Sequence, residues 1–547
     1  MRLLHFLLLP VVIAAVLACG CTTRDKTSPV NTALQQIVGG KPLPTIDAGV
    51  WKDVGAFYQQ REGTPAWVDG NHSSKRAAGA LQVLQSSREH GFSPEDYGER
   101  EIVQMHDAID KSDKNAPDRG QRLAALEVKL TAALLTLGHD VALGRSRPSS
   151  VDGRWRARRQ APDFAGTLAR AVDGDVKTWL KEVRPRHPEY VALQEAYVDL
   201  GGQKEKGGWP TVPAGVYKRG EAHPSVVTLR QRLTAGGQLT GDAATNNSPV
   251  FDPAAETAVG AFQELHGIKA TGAVDNVTLA AMNVPIDERL TQVALNMERW
   301  RWMPDDLGAQ HFLVNIPYFH LLARENGKAV MDIRVVVGKR GNETPIFSDQ
   351  METVVFSPYW NIPDSIKQGE TAPAVAKDPS YLERNNIEIL RGSKPVDVGS
   401  IDWDDPAELR QLAFRQRPGA NNALGHVKFL FPNDYDVYLH DTPADSLFQR
   451  SGRAFSHGCV RVEEPEKLAN YILRDHSEWD GDKIVSAMHS GDEQHVKLKK
   501  TIPVHIAYFT AWVDDKGGLH FQPDIYGYDA KHGVEDARER VKPPKAE

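Results

Sequence analysis

Residues 454–461, Ala-Phe-Ser-His-Gly-Cys-Val-Arg, contain the chain's one cysteine that lies beyond its first 21 positions. His457 precedes Cys459 by two residues, and His440 ends a strand-like alternating run further upstream. A free thiol has a pKa of about 8.5, so a cysteine nucleophile needs a base to form the thiolate. His440 can supply that base. The residue types and their spacing therefore predict a reactive thiol rather than a merely buried one.

Thiol attack on a carbonyl also needs hydrogen-bond donors for the oxyanion that forms. Backbone N–H groups of His457, Gly458 and Cys459 can be those donors if the segment turns tightly, which the glycine favours. Ser456 adds a hydroxyl to the same segment. A competing interpretation makes His440, His457 and Cys459 zinc ligands. No fourth ligand lies near them in sequence, so we expect no metal.

The pattern of His440, fifteen residues and then Ser-His-Gly-Cys-Val-Arg resembles the signature of L,D-transpeptidases with a YkuD-type catalytic domain. This resemblance implies that Cys459 is the acyl-accepting nucleophile and His440 its base. It also implies that a backbone carbonyl near His440 and Asp441 orients the imidazole ring. Some members carry asparagine where this chain has Arg461, which leaves contact with substrate or with the core as its two alternative roles.

The resemblance implies chemistry on peptidoglycan. Cys459 would attack the carbonyl between the L-centre of meso-diaminopimelate and the terminal D-alanine of a tetrapeptide stem, releasing D-alanine. The side-chain amine of a second stem would resolve the thioester and form a 3→3 cross-link, without a metal or an organic cofactor. Water as acceptor would make the protein an L,D-carboxypeptidase, and another amine would make it an anchoring or exchange enzyme. The alternative of another class is a wall-binding scaffold with an idle thiol.

The 547 residues imply about three domains. With 65 basic and 72 acidic residues the net charge is −7, which gives no indication of nucleic-acid binding. Residues 1–21 resemble an export signal with an imperfect lipoprotein site at Cys19 or Cys21. We expect a periplasmic protein whose only membrane contact is a lipid anchor, with plain cleavage as the alternative. Peptidoglycan is the expected partner, and other cell-wall synthesis enzymes are candidate partners.

Between the signal and the cysteine segment the hydrophobic pattern changes from helical to strand-like. His90–Tyr97 and Pro65-Ala66-Trp67 resemble the helical scaffold of larger, YcbB-like family members, and Phe262 with Gly272–Asn283 resembles a peptidoglycan-binding module. The predicted order is a tether over 22–44, a helical scaffold over 45–205, a linker over 206–222, a three-helix module over 223–284, a connecting helix over 285–309, a catalytic domain over 310–510 and an extension over 511–547.

The catalytic part is expected to be β-sandwich-like, because its short strands follow each other without long helices between them. Residues 364–424 lose the strand alternation, and an irregular stretch of this length between strands is typical of a lid or a disordered segment. The family resemblance implies that this stretch is a capping insertion over the active site. Tyr359, Trp360 and Asn361 immediately precede it and are predicted to contact substrate. The predicted fold class is therefore multidomain α+β, with a helical scaffold, a three-helix module and a capped β-rich catalytic domain.

Overall fold

The structure, a computed structural model, describes residues 28–43, 46–155, 159–215, 217–403 and 405–532. The predicted export signal and lipidation at Cys19 or Cys21 lie outside these ranges. Within them, no helix combines the length and the apolar composition needed to cross a membrane.

The N-terminal region is helical, as predicted, with a short hairpin of β1 and β2 between its second and third helices. Its elements are α1 Pro29–Val38, α2 Ala48–Gln60, β1 Val68–Asp69, β2 His72–Ser73, α3 Lys75–Gln85, α4 Glu99–Lys111, α5 Arg119–Leu143, α6 Pro148–Val151, α7 Phe164–Asp173, α8 Trp179–Val183 and α9 Pro188–Glu205. The long helix α5 is buried along most of its length and forms the centre of this domain's hydrophobic core.

The tether prediction for residues 22–44 is wrong where α1 forms. Val30 and Leu34 are buried in the scaffold core, because their spacing places them on one face of the helix. The helix packs tightly on α5: a Cβ atom at Gly120 would lie 2.8 Å from Pro29. The scaffold therefore begins at least as early as residue 29.

The module is built on helices α10 Ser225–Ala235, α11 Gly241–Thr245, α12 Pro253–Leu265 and α13 Asn276–Met282. Three of them are long enough to form its core, as the sequence predicts, and α11 is a single short turn. The carboxylates of Asp252 and Asp275 accept hydrogen bonds from the first turns of α12 and α13, which fixes where both helices begin. The connecting helix is α14, Ile286–Trp302, and both of its tryptophans are buried between domains.

The catalytic domain is formed by one large sheet with helices packed against it. Its strands are β3 Gln310–Asn315, β4 His320–Glu325, β5 Lys328–Gly338, β6 Phe347–Phe356, β11 Val427–Leu430, β12 Leu439–His440, β13 Ala454–Ser456, β14 Val460–Val462 and β15 Gln494–Ala507, with α19 Pro465–Leu473 and α20 Gly481–Met488 as the helices. The sheet order is β13-β5-β14-β12-β11-β6-β15-β3-β4, and β4 pairs with β5 as well. The expected β-rich layers are thus parts of one sheet. Strand β5 pairs with β4 along its first part and with β14 near its end, so it links the two ends of the strand order.

The capping insertion is a folded unit rather than the irregular segment expected. It contains β7 Trp360–Asn361, α15 Asp364–Ile366, a π-helical turn Lys367–Thr371, α16 Ala372–Lys377, α17 Ser380–Arg384, β8 Ile387–Arg391, β9 Lys394–Pro395, α18 Pro406–Gln411 and β10 Leu412–Gln416. Its strands form a separate sheet in the order β7-β10-β8-β9. Val375, Leu409 and Phe414 are among the residues of its own hydrophobic core. These elements are too short to produce a clear periodicity, which is why the sequence pattern missed them.

The described part of the predicted C-terminal extension is also integrated into the fold. Strands β16, Ala511–Val513, and β17, Leu519–Phe521, form a hairpin. It contacts helices α9 and α14, and its Phe521 ring lies 5.6 Å from the ring of His266 in the module. Scaffold, module and catalytic domain therefore meet at this hairpin.

Candidate active site

Two short parallel strands bring the predicted catalytic residues together. Strands β12 and β14 pair in parallel with His440 opposite Arg461. Side chains alternate along a strand, so Tyr438 and His440 face the same side of the sheet as Cys459 and Arg461. The pairing thus places the predicted base and the predicted nucleophile on one surface, although they are far apart in sequence.

The imidazole of His440 is fixed by a backbone hydrogen bond. Its Nδ1 lies 2.5 Å from the carbonyl oxygen of Asp441, so Nδ1–H donates and Nε2 is left as the acceptor. The ring is buried, and burial lowers the pKa of His440 to about 3, with Arg461 and Lys428 adding to the shift. The residue is therefore a neutral base at physiological pH. The orienting carbonyl is the one that the family resemblance implies.

The side-chain carboxylate of Asp441 holds the surrounding backbone, whereas its backbone carbonyl contacts His440. It accepts hydrogen bonds from the backbone N–H groups of His426 at 2.7 Å and Thr442 at 2.6 Å. A Cβ atom at Gly425 would lie 2.3 Å from this carboxylate, and the φ angle of 60° there also favours glycine. Asp441 thus fixes the backbone that presents its carbonyl to His440.

The Cys459 thiol contacts a backbone carbonyl in this structure. Its Sγ lies 3.7 Å from the carbonyl oxygen of Asp436, and in the described residues it makes no hydrogen bond to His440. Burial raises the pKa of the Cys459 thiol, while hydrogen bonding with Tyr438 and the charge of Arg461 oppose that shift. The site at rest therefore combines a neutral thiol with a neutral imidazole.

The turn before the thiol is held by Ser456. The Ser456 hydroxyl donates to the carbonyl of Cys459 at 2.6 Å and accepts from the N–H of Gly458 at 3.1 Å. Gly458 has a φ of 119°, which strongly favours glycine. The Gly458 N–H is therefore already engaged. Among the described residues, the N–H groups of His457 and Cys459 have no acceptor, and these two remain the predicted oxyanion donors.

Arg461 adds a cation without an acidic partner to this surface. Its Nε is buried and has no hydrogen-bond partner in the described part of the chain, and no carboxylate there lies within ion-pair distance. Burial lowers the pKa of the guanidinium, and the neighbouring Cys459 opposes the shift. Together with Lys428, which lies opposite His440 on β11, it makes the surface around the thiol suitable for a carboxylate.

The cap approaches the site from the other side. The imidazole of His457 is paired with the Glu370 carboxylate of the cap at 2.9 Å. The Tyr359 ring lies under the Arg415 guanidinium, 4.1 Å from ring centroid to Cζ, and its carbonyl accepts from Lys428 at 3.4 Å.

The other two residues predicted to contact substrate belong to strand β7 of the cap. The Trp360 side chain packs against the cap core, and Asn361 is exposed opposite Arg415. Of the three predictions, Tyr359 lies nearest the thiol surface, through its contact with Lys428.

Sequence reasoning missed Tyr438, Lys428 and Glu370. Tyr438 was detectable in principle, because a residue two positions before the predicted base on a strand shares its face. Lys428 and Glu370 come from other elements, and no spacing rule connects them to Cys459. The described ranges contain no group of three or more His, Cys, Asp or Glu side chains placed to hold a metal ion.

The site combines the Cys459 thiol with a histidine whose ring is held by a backbone carbonyl, on a capped β-rich domain. This combination is typical of enzymes with a cysteine nucleophile. Residues 309–506 match the model of the L,D-transpeptidase catalytic domain, residues 52–196 that of the scaffold domain and residues 222–282 that of a putative peptidoglycan binding domain. The chain thus carries a region that matches the YkuD-type L,D-transpeptidase catalytic domain, preceded by regions that match a scaffold domain and a putative peptidoglycan binding domain.

A curated relative, a putative L,D-transpeptidase of Haemophilus influenzae, is 35% identical over 245 residues, which cover 44% of this chain and 49% of the relative. The chain thus spans about half the length of that protein. Among solved structures, the L,D-transpeptidase from Stackebrandtia nassauensis has 14% identity and a TM-score of 0.22, covering 54% of this chain and 96% of that one. The L,D-transpeptidase from Xylanimonas cellulosilytica has 16% identity and a TM-score of 0.16, covering 54% and 98%.

Proposed function

We propose that this protein is a cysteine-dependent L,D-transpeptidase that forms 3→3 cross-links between peptidoglycan stems through a thioester on Cys459. The observation that carries this proposal is the hydrogen bond from Nδ1 of His440 to the Asp441 carbonyl. It leaves Nε2 free as a base on the same face of the sheet as the thiol. The match of residues 309–506 to the L,D-transpeptidase catalytic domain supports the reaction class, and the match of residues 222–282 to a putative peptidoglycan binding domain supports the substrate.

The first half-reaction begins with rotation of the thiol. Cys459 turns its Sγ from the Asp436 carbonyl towards His440, whose Nε2 takes the proton. The sulfur attacks the carbonyl between diaminopimelate and D-alanine, and the N–H groups of His457 and Cys459 stabilise the oxyanion. When the carbon–nitrogen bond breaks, the imidazolium gives its proton to the leaving amine. D-alanine departs, and the thioester remains.

The second half-reaction reverses these roles. The side-chain amine of a second stem attacks the thioester carbonyl while His440 takes its proton. The carbon–sulfur bond breaks, the sulfur leaves as thiolate, and the imidazolium returns the proton to it. Arg461 and Lys428 are suited to hold a carboxylate of a stem beside the thiol, because both present positive charge on this surface.

Muropeptide analysis tests this proposal. Purified protein incubated with disaccharide tetrapeptides should release D-alanine and give a cross-linked dimer of the 3→3 type by liquid chromatography and mass spectrometry. Tripeptide without dimer would make it an L,D-carboxypeptidase, and an adduct with another amine would make it an exchange enzyme. If Cys459 acquires no acyl group in intact-protein mass spectra, the wall-binding scaffold is the correct function.

We also propose that the protein is exported to the periplasm and anchored by lipid at Cys19 or Cys21. The support is the apolar run of residues 3–17 followed by the two cysteines. Mass spectrometry of the N-terminal peptide from the membrane fraction tests it. A lipid-sized mass addition on either cysteine is expected, and an unmodified N-terminus at a cleavage site beyond both would contradict the anchor.

A further inference from the structure

A cavity of about 470 Å³ lies where scaffold, module and catalytic domain meet, away from the cysteine segment. Helix α9 forms one wall, helices α10 and α12 of the module form another, and the turn of the β16–β17 hairpin forms the third. Four glycines line it in pairs, Gly236 with Gly237 and Gly517 with Gly518. A ligand can therefore approach the backbone closely at two of its walls.

Arg232 is the charged group at this cavity, and it has no acidic partner. Its side chain is 1% exposed, its Nε donates to the carbonyl of Met282 at 2.9 Å, and its Cζ lies 3.9 Å from the ring centroid of Trp209. Its Nη2 has no hydrogen-bond partner among the described residues. Asp199 also lines the cavity, from the exposed side of α9, but it lies beyond ion-pair distance of this guanidinium.

A second buried arginine increases the positive charge here. Arg289 lies over the Phe521 ring at 4.5 Å, and in the described part of the chain no carboxylate pairs with it either. Burial lowers the pKa of Arg232 to about 10, and the charge of Arg289 contributes to that shift. The His266 ring lies between the two aromatic side chains Phe262 and Phe521, and burial with the charge of Arg289 lowers its pKa to about 3. Two guanidinium groups thus lie near each other here, and in the described residues neither has a carboxylate within ion-pair distance. The acidic groups nearby are Asp199 at the cavity wall and Glu288 beside Arg289.

A buried cation without an anionic partner is costly even when a carbonyl and an aromatic ring contact it, and a bound anion would offset that cost. We propose that this cavity is the site where the protein binds peptidoglycan, with Arg232 facing a carboxylate of a stem peptide. The inference rests on the proposed function for its ligand class. Its own support is the cavity, the unpaired guanidinium and the match of residues 222–282 to a peptidoglycan-binding domain. Because three domains line the site, bound wall would fix the module relative to the catalytic domain.

Filling the cavity from two sides tests the proposal. Ala196→Trp on α9 and Ala261→Trp on α12 place an indole in the cavity from different walls. Val198→Trp on α9 and Ala254→Trp on α12 are matched controls, because both residues are exposed and neither lines the cavity. The full chain is first alkylated with iodoacetamide at Cys459, which blocks the active site. Binding of a purified disaccharide tetrapeptide is then measured by calorimetry.

The two cavity variants should bind at least about tenfold more weakly than the wild type, and the controls should stay within about twofold. Wild-type affinity in both cavity variants would overturn the proposal. D-alanine release from soluble stems by the unalkylated variants is measured in parallel. If the cavity variants release D-alanine and bind the tetrapeptide as tightly as the wild type, this binding site alone is refuted. If the wild type itself releases no D-alanine, the proposed function is refuted.

A second experiment tests the contact between Arg232 and a carboxylate of the stem peptide. The wild type should bind the disaccharide tetrapeptide more tightly than the same molecule with its carboxylates converted to methyl amides. Arg232→Gln should bind the two equally, a loss of discrimination that a purely structural arginine would not cause. Equal wild-type binding of both molecules would refute the carboxylate contact. Glutarate serves as the probe for a free acid, and tighter binding of glutarate than of the tetrapeptide would overturn the assignment to wall.

Discussion

The sheet and the cap, which meet at the cysteine turn, are held there in different ways. On the sheet side, His440 and Cys459 belong to adjacent paired strands, and the imidazole, the Asp441 carboxylate and the cysteine turn are all fixed by hydrogen bonds to backbone. On the cap side, the direct link to the cysteine turn is the contact of the Glu370 carboxylate with the His457 imidazole, which is an ion pair when the imidazole is protonated; 58% and 34% of the two side chains are exposed. Exposed ion pairs contribute little stability.

This difference indicates that the sheet and the cap have different roles. The sheet side positions the groups that form and break bonds, and its backbone hydrogen bonds prevent drift. The cap has its own hydrophobic core, so it can change position as a unit while its internal packing is kept. In the proposed mechanism water would compete with the acceptor amine for the thioester, and a cap beside the cysteine turn would limit that competition. Damage on the sheet side should therefore abolish turnover, and damage on the cap side should change the products.

The largest effect is expected for Cys459→Ala. Removing the sulfur removes the proposed covalent step, so D-alanine release and dimer formation should fall to background, because among the described residues Cys459 supplies the thiol of this surface. The change from thiol to methyl is small, and the melting temperature should stay within a few degrees. Circular dichroism and product analysis check both outcomes. Turnover at the wild-type level would refute the assignment of the nucleophile.

The next largest effect separates the two histidines. His440→Gln should lower kcat by about 10²- to 10⁴-fold, the usual contribution of a general base. His457→Gln should lower it by less than about tenfold, because that imidazole is exposed and paired with the cap while its backbone N–H is kept. Steady-state rates of D-alanine release measure the difference. A larger loss in His457→Gln than in His440→Gln would reverse the two roles.

Much of this candidate site was predictable because its main residues lie in short sequence segments with characteristic residue types. The cysteine, the upstream histidine and the glycine of the turn lie within short segments whose residue types specify the chemistry directly. The backbone carbonyl of Asp441 followed from the family resemblance. The helical scaffold, the module and the β-rich domain were also predictable, because long amphipathic helices and alternating strands have clear periods.

The rest depends on contacts between distant segments. Lys428 joins the site through the register of β11 with β12, and Glu370 joins it through the fold of the cap, which no periodicity indicates. Helix α1 was mistaken for a tether because a ten-residue helix next to proline and glycine gives a weak signal. The hairpin of β16 and β17 was predicted only as part of an extension over 511–547, because its strands are short and their contacts are with the module and α9, which are distant in sequence.

A third prediction concerns the protonation state on the sheet side. Burial raises the pKa of the Cys459 thiol, and burial lowers that of His440 to about 3, so proton transfer between them is unfavourable at rest. The rate of alkylation by iodoacetamide should therefore rise continuously with pH up to at least about pH 9, as the thiolate fraction grows. A plateau between about pH 5 and pH 8 would instead indicate a thiolate–imidazolium pair at rest.

Tyr438→Phe sharpens this prediction. Hydrogen bonding with Tyr438 lowers the thiol pKa, so its removal should raise that pKa further and shift the alkylation profile to higher pH. Alkylation at pH 8 should slow a few-fold, while the limiting rate at high pH stays unchanged. Tyr359→Phe is the matched control, because that ring contacts Arg415 rather than the thiol. Identical profiles for the wild type and Tyr438→Phe would show that the tyrosine has no influence on the thiol.

The smallest effect is expected on the cap side, for Glu370→Gln. The substitution removes the charge of the pair with His457 and keeps the size of the side chain. An exposed ion pair is worth about 1 kcal/mol or less, so the cap should open more often, by at most about fivefold. Acylation of Cys459 should be unchanged, since the sheet side is intact. The thioester should meet more water, and the ratio of hydrolysed to cross-linked product should rise by about two- to fivefold.

Glu383→Gln on helix α17 of the same cap is the control, because it removes an equal charge at an exposed position away from the cysteine turn. Salt provides an independent check at a pH where the His457 imidazole is protonated. It screens the pair in the wild type, so the product ratio should rise with ionic strength there and stay flat in Glu370→Gln. Chromatographic product ratios over a salt series measure both effects. A ratio that is the same in both proteins and independent of salt would mean that the cap is held by its packing alone, and the sheet and the cap would then be equally fixed.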